Sequence, residues 1–354
     1  MAVASVPLTH DFVPALTALD PYHQYSTSPL SGGMINFTVR VHISDETEEH
    51  ECPFGDARSV VAKYAPAFVA SIGESAPFSQ YRQVIEAHAL DLLSQPTISA
   101  YIQSSGVTFP KVVHHNPDMN ILVMSDLGNA SVLDTWLISG PDVRVAAEVG
   151  RSFGENTTNI YEHFDNPSTH GLIFDISIAP VESHLLKCGY DSTDAAFVKN
   201  LCGVFGIGDS WPRSFLVGGE APKLKLSVVD WEFAGMTGPL MDLSQLCAHL
   251  YLLCQTSPTK IRSGVKAYTL EMLRAHHAHA PEWHYKNEYR VDAWALFGRE
   301  IIINTIEMDW WDGDEIKKQA GTKALGAHGA TFIKEVKQRG SRNGPLFEDA
   351  FDAL

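Results

Sequence analysis

Apolar and polar residues alternate through PLSGGMINFTVRVHI (29–43) after a Gly-Gly turn, the period-two signature of a half-buried strand. ARSVVAKYAPAF (57–68) adds a short apolar run that ends at Lys63. The period then changes. In YRQVIEAHALDLLSQ (81–95), Val84, Ile85, Ala89, Leu90 and Leu93 fall on one broad helical face, with Glu86 near the middle. MNILVMSDLG (119–128) reads as a buried strand running into a loop at Ser125 to Gly128. Beyond it helical periodicity dominates, in PDVRVAAEVGRSFGENTTNIYEHF (141–164) and in most of the chain after Met241. There VDAWALFGREIIINTIEMDWW (291–311) and DEIKKQAGTKALGAHGATFIKEVKQ (314–338) predict two or three packed helices. One interruption stands out: SFLV (214–217) and LKLSVV (224–229), split by a Gly-Gly-containing turn, predict a hairpin. The expected class is α+β, with a small antiparallel-sheet lobe over 1–125 and a larger, mainly helical lobe over 126–354.

Composition narrows the partners. The 354 residues are 45% hydrophobic and 19% charged, as in an ordinary globular protein with room for two sizeable cores. A net charge of -16 argues against nucleic acid or an anionic membrane as the main partner; it is compatible with a cationic small substrate, and solubility alone explains it equally well. Cys52, Cys188, Cys202, Cys247 and Cys254 are scattered without a CxxC pair and read as reduced thiols. No secretory signal opens the chain and no run approaches a membrane span, so the expected location is cytoplasmic. The sequons at Asn36, Asn129 and Asn156 then carry no weight.

The hairpin brings in chemistry. Asp209 precedes its first strand and Asp230 follows its second, so pairing would bring both carboxylates to one end of the ribbon. Like charges held together are costly without a cation, and carboxylate oxygens suit Mg²⁺. Taken alone, Asp209 in Gly-Asp-Ser is equally good turn chemistry. Phosphoryl transfer in a kinase-like site needs a glycine-containing hairpin over the phosphates, a Lys oriented by a helical Glu, a base carboxylate and a metal carboxylate. Gly32-Gly33, Lys63, Glu86, Asp209 and Asp230 supply these parts, each on a plausible element.

LSGGMINFTVRV, SVVAKY, ILVMSDLG, GDSWPRSFLV and VVDWEFAGMTGPLMDL together resemble the aminoglycoside phosphotransferase and choline kinase-like family, over nearly the whole chain. Within it the likeness is greatest to fungal small-molecule kinases of the hydroxytryptamine kinase type. The resemblance implies a two-lobe, protein-kinase-like fold and ATP- and Mg²⁺-dependent phosphorylation of a hydroxyl on a small, cationic or aromatic amine. It implies Asp209 as catalytic base or orienting carboxylate, and Asp230 as a metal ligand with Glu232 nearby. Lys63 would contact the nucleotide phosphates and pair with Glu86, beneath a hairpin containing Gly32, Gly33 and Asn36. The backbone of Met124, Ser125 and Asp126 would hold the adenine, and Asp242 would fix the catalytic loop.

Two positions depart from the family pattern. Ile207 stands where the family has a scaffold His, and Ser214 stands where it has a metal-binding Asn. A serine hydroxyl can ligate Mg²⁺, though its side chain is shorter and offers no amide carbonyl. The alternative expectation is therefore a kinase-fold protein that no longer transfers phosphate. Other motifs point elsewhere. GRSFG (150–154) fits the serine-hydrolase elbow G-x-S-x-G, but the preceding PDVRVAAEV reads as helix, which makes Ser152 a helical residue. His276, His277, His279 and His284 lack zinc-site spacing. In MDWWDGDE (308–315), Trp310 or Trp311 with Asp309 or Asp312 would hold an amine by cation–π and ionic contact, or else pack and cap.

Overall fold

β-Branched residues alternate with polar ones through VRVHIS (39–44), and a computed structural model shows what that alternation builds. It describes residues 10–30, 33–44, 52–104, 106–164, 204–220, 223–311, 313–342 and 346–354; Gly32, Cys188, Cys202 and Asp312 lie outside them. Two compact units result. One comprises Met1–Gln95, Phe109–Asn129 and Val229–Phe233, and the other Pro96–Thr108, Ala130–Val228 and Ala234–Leu354.

The first unit holds a five-stranded antiparallel sheet in the order Gln24–Pro29, Phe37–Ser44, Ser59–Tyr64, Ile121–Ser125, Val112–Asn116. Val39, Val41, Val60, Ala62, Ile121 and Val123 share a core with Phe12, Leu16 and Phe54. Successive side chains on a strand point to opposite faces, so Val61, Lys63, Leu122 and Met124 belong to the other face. Lys63 sits opposite Thr38 on one side and Leu122 on the other. There it meets Glu86 of the helix Arg82–Leu93.

That helix buries Ala89, Leu90 and Leu93 of the face its hydropathy suggests, but not the whole of it. Gln83, Glu86, Ala87, Leu90 and Leu93 are buried, while Val84 and Ile85 are only half-buried. The rotation is explained by polar partners that hydropathy does not weigh. Gln83 Nε2 donates to the Lys63 and Asn120 carbonyls at 2.9 and 2.6 Å, and Glu86 accepts from Lys63. Buried polar groups with partners of this kind cost little, so they can displace apolar residues from the inner face.

The expected hairpin is present in the second unit. Phe215–Gly218 pairs antiparallel with Lys225–Val228, with Phe215 opposite Val228, and Val107–Thr108 and Ala130–Val132 flank the pair. Gly219 at φ +80 turns the chain, and a Cβ there would lie 2.6 Å from the Lys223 carbonyl oxygen. Only glycine fits. The unit is otherwise mainly helical, with Val143–Phe164, Met241–Thr256, Thr259–His279, Asn287–Glu307 and Glu315–Lys334 its long helices. Trp294, Phe297, Phe332 and Phe347 form one aromatic core among them. No described helix is long and apolar enough to cross a membrane.

The GRSFG motif belongs to this packing. A Cβ on Gly150 would lie 2.1 Å from the Tyr268 carbonyl oxygen, and one on Gly154 2.2 Å from that of Met272. The two glycines let the helix Val143–Phe164 approach Thr259–His279 at backbone distance, and Ser152 is helical, with no elbow before it. Gly154→Leu should therefore lose about 3 kcal/mol or more in urea unfolding, because backbone cannot give way. Ser152→Ala in the same motif should stay within about 1 kcal/mol of wild type. Equal losses for the two variants would mean the glycines are not what the motif preserves.

Candidate active site

Lys63 is the centre of the first unit's polar cluster. Its ammonium donates to Glu86 Oε1 and Oε2 at 3.0 and 2.8 Å and to Asp230 Oδ1 at 2.6 Å. Lys63 and Glu86 are buried, while the Asp230 side chain keeps 23% of its exposure. Glu232, also buried, accepts from Asn36 Nδ2 and lies 3.6 Å from Arg82 Nε. Arg82 locks this corner: Nε donates to Asn36 Oδ1 at 2.9 Å and Nη2 to the Pro66 carbonyl at 2.9 Å. Its guanidinium also lies over the Phe78 ring, 5.0 Å from the centroid, and Phe78 meets Phe233 edge-on.

Three carboxylates (Glu86, Asp230, Glu232) thus face two cations (Lys63, Arg82). Burial pulls the Lys63 ammonium down, but Asp230 and Glu86 outweigh it and hold the group well above its ordinary value. Burial pushes Glu86 and Glu232 up, against the pull of Lys63. These directions conflict only superficially. Both Glu86 oxygens accept from the ammonium, and the like charges of Asp230 and Glu232 add to the upward push of burial. A cation entering beside Asp230 would relieve it. Asp230 itself has φ +69, a left-handed conformation that costs about 1 kcal/mol or more and aims its carboxylate at Lys63.

Just past the strand Ile121–Ser125, Asp126 is fully engaged. It accepts from Arg40 Nε and Nη2 at 2.7 and 3.0 Å, from Ser59 Oγ at 2.7 Å and from Gly128 N at 2.9 Å. These donors, opposing its burial, hold the carboxyl below its usual range. Met124 is buried in the strand opposite Val61, and Ser125 donates its N–H to the Lys111 carbonyl at 2.8 Å. Gly33 and Asn36 precede the strand Phe37–Ser44, with Gly33 exposed and Asn36 buried.

The second unit holds the loop that contains Asp209. Strand Val204–Gly206 pairs with Gly235–Thr237 and leads into Gly208 at φ +79. Asp242, in the first turn of helix Met241–Thr256, accepts from Ile207 N at 2.8 Å and Gly208 N at 3.1 Å. Three residues on, and so on the same helical face, Gln245 adds two bonds. Its Oε1 accepts from Ser210 N at 2.8 Å and its Nε2 donates to Asp209 Oδ1 at 2.7 Å. A Cβ on Gly206 would lie 2.5 Å from Asp242 Oδ2, so the close approach needs glycine. Ser214 is fully buried and its hydroxyl donates to the Asp209 carbonyl at 3.1 Å, so it closes the loop on itself.

The tryptophan stretch has local work to do. Asp309 accepts from Trp311 N and Gly313 N at 3.1 and 2.9 Å, the Trp310 indole donates to the Asn304 carbonyl at 2.8 Å, and the Trp311 ring rests against Gly321. His276 pairs with the Tyr285 hydroxyl and His279 with the Ala275 carbonyl. The structure thus brings Lys63, Glu86, Asp230, Glu232 and Asn36 together in one unit, and Asp209, Ser214 and Asp242 in the other. Sequence reasoning missed Arg82 and Gln245. The i, i+3 spacing of Gln245 from Asp242 was the available signal.

No protein-family model matches the chain, and no curated protein matches it in sequence. Among solved structures it is similar to a choline/ethanolamine kinase family protein from Mesorhizobium loti, at 16% identity and TM-score 0.43 over 92% of this chain and 97% of that one. It is similar to an amicoumacin kinase in complex with AMP-PNP, Ca²⁺ and Ami, at 11% identity and TM-score 0.47 over 93% of this chain and 94% of that one. A microcompartment-associated aminopropanol kinase matches at 13% identity and TM-score 0.42 over 96% and 98%. At these scores none of the likenesses fixes a function for this chain.

Proposed function

We propose that the protein is a small-molecule kinase of the aminoglycoside phosphotransferase and choline kinase-like type, transferring the γ-phosphate of ATP to a hydroxyl of a small amine. The observation that carries this is the buried Lys63, bonded to both Glu86 oxygens and to Asp230. A lysine oriented by a helical glutamate and facing an exposed carboxylate is the arrangement a triphosphate and its metal require. In this reading Lys63 holds the nucleotide phosphates, the segment carrying Gly33 and Asn36 covers them, and the Met124–Asp126 backbone receives the base. The donor set fits Mg²⁺: Asp230 offers a partly exposed hard oxygen, and the buried carboxylate of Glu232 adds negative charge close by. When bound, the ion neutralises the charge that develops on the transferred group. Asp209, held by Gln245, orients the acceptor hydroxyl. Asp309, Trp310 and Trp311 would face a cationic or aromatic amine, the substrate class that the hydroxytryptamine kinase resemblance implies, in a cytoplasmic enzyme.

One observation supports a second reading, a kinase-fold protein that binds nucleotide without transferring phosphate. Ser214 is fully buried with its hydroxyl donating to the Asp209 carbonyl, so its remaining lone pairs are shielded from an entering ion. Titration calorimetry separates the possibilities. Wild type should bind ATP in the micromolar range only with Mg²⁺, and Asp230→Asn should weaken this at least tenfold. ADP release across a panel of amino alcohols then distinguishes an enzyme from a binder. Binding that ignores both Mg²⁺ and Asp230 would sink the proposal.

A further inference from the structure

We propose that Asp20, His23 and Cys52, at the edge of the first unit's core, form a binding site for a divalent cation of the zinc class, separate from the nucleotide machinery. Their donor atoms lie within 4.8 Å of one another, making them the one group among the described residues with metal-ligating geometry. A carboxylate, an imidazole and a thiol together are a donor set that hard Mg²⁺ and Ca²⁺ do not favour and Zn²⁺ does.

Burial strengthens the case. Asp20 and His23 are 4% and 6% exposed, while Cys52 is half-buried against the core formed by Phe12, Leu16 and Phe54. Asp20 and His23 are therefore already shielded from water, and the thiol is the side from which an ion enters. The pair is also pre-oriented. His23 Nδ1 and the Tyr25 hydroxyl each lie 2.6 Å from Asp20 Oδ2, and Tyr22 N donates to Oδ1 at 3.0 Å.

Zinc bonds of about 2.0–2.3 Å in a tetrahedron separate ligand atoms by roughly 3.3–3.8 Å. Closing the site thus needs donor atoms within 4.8 Å of one another to draw in by about 1 Å at most and the 2.6 Å contact between His23 and Asp20 to open as the ion replaces the proton they share. Water would complete the coordination. The consequence is a staple. Asp20 follows the helix Val13–Leu19, His23 precedes the strand Gln24–Pro29, and Cys52 begins a turn closed by the Gly55 N–H on its own carbonyl. One ion would tie these three segments together and stabilise the unit that also holds Lys63.

The test titrates the full chain, reduced and metal-free, with Zn²⁺ and with Co²⁺ as a spectroscopic probe. We expect one equivalent bound, a thiolate-to-cobalt charge-transfer band, a raised Tm with Zn²⁺ but not Mg²⁺, and protection of Cys52 from iodoacetamide. Cys52→Ser should lose the band and weaken Zn²⁺ binding at least tenfold with unchanged circular dichroism, and His23→Gln should weaken it similarly. Cys254→Ser, at a thiol in the other unit, should behave as wild type. Zinc binding that persists in Cys52→Ser, or alkylation of Cys52 at the same rate with and without Zn²⁺, overturns the site.

Discussion

Lys63→Met should cost the protein both its nucleotide and much of its stability. Removing the ammonium leaves Glu86 and Asp230 without the lysine they share, while Glu232 keeps Arg82 and Asn36. Stripping one member from a buried ion pair typically costs about 3–5 kcal/mol, because the remaining charge is neither solvated nor paired. The loss has a pH signature. Without Lys63 the carboxyls of Glu86 and Glu232, already pushed up by burial, rise further. A folded-state carboxyl above its unfolded value contributes stability that is fully present below the unfolded pKa and lost as pH rises through the folded one. The deficit of Lys63→Met against wild type should therefore be small near about pH 5 and large near about pH 8. Urea midpoints at those two values check this, and calorimetry on the same samples should find no Mg·ATP binding. A variant as stable as wild type at the higher pH would show that the cluster is not held together by the lysine.

That cluster was partly legible in the sequence, and the reason is electrostatic. A lysine ending the apolar run SVVAK and a glutamate inside an apolar helix are each expensive to bury alone, so each advertises a partner. Arg82 gave no such signal. At the start of a helix it looks like a surface residue, and only the fold shows it bonded to Asn36 and four backbone carbonyls. Hydropathy likewise put Val84 and Ile85 inward, because it assigns Gln83 no credit for carbonyls that other segments present. The antiparallel sheet and the hairpin were readable from period-two alternation and a Gly-Gly turn, both local properties. The glycines of GRSFG were not readable as a packing surface, since what they admit is a carbonyl ridge more than a hundred residues away in sequence.

Asp209→Asn and Gln245→Glu together test whether the second unit's loop does chemistry. Asparagine keeps an oxygen to accept from Gln245 Nε2 and removes the charge. If Asp209 is the base or orienting carboxylate, ADP release with the best acceptor should fall about 10²–10⁴-fold while Mg·ATP affinity stays within about twofold. Gln245→Glu is the sharper probe. Glutamate can still accept from Ser210 N, so the loop keeps that bond, but it places a second carboxylate against Asp209. A like charge at hydrogen-bond distance favours the protonated form, so the acid limb of the pH–rate profile should move to higher pH. Gln245→Leu, which removes both bonds and adds no charge, should lower kcat roughly tenfold with KM for ATP little changed, and cost about 1–3 kcal/mol of stability. A purely structural Gln245 would give the stability loss in the leucine variant and leave the profile of the glutamate variant where it was. A moved limb means the side chain acts through Asp209, and that Asp209 must be ionised for turnover.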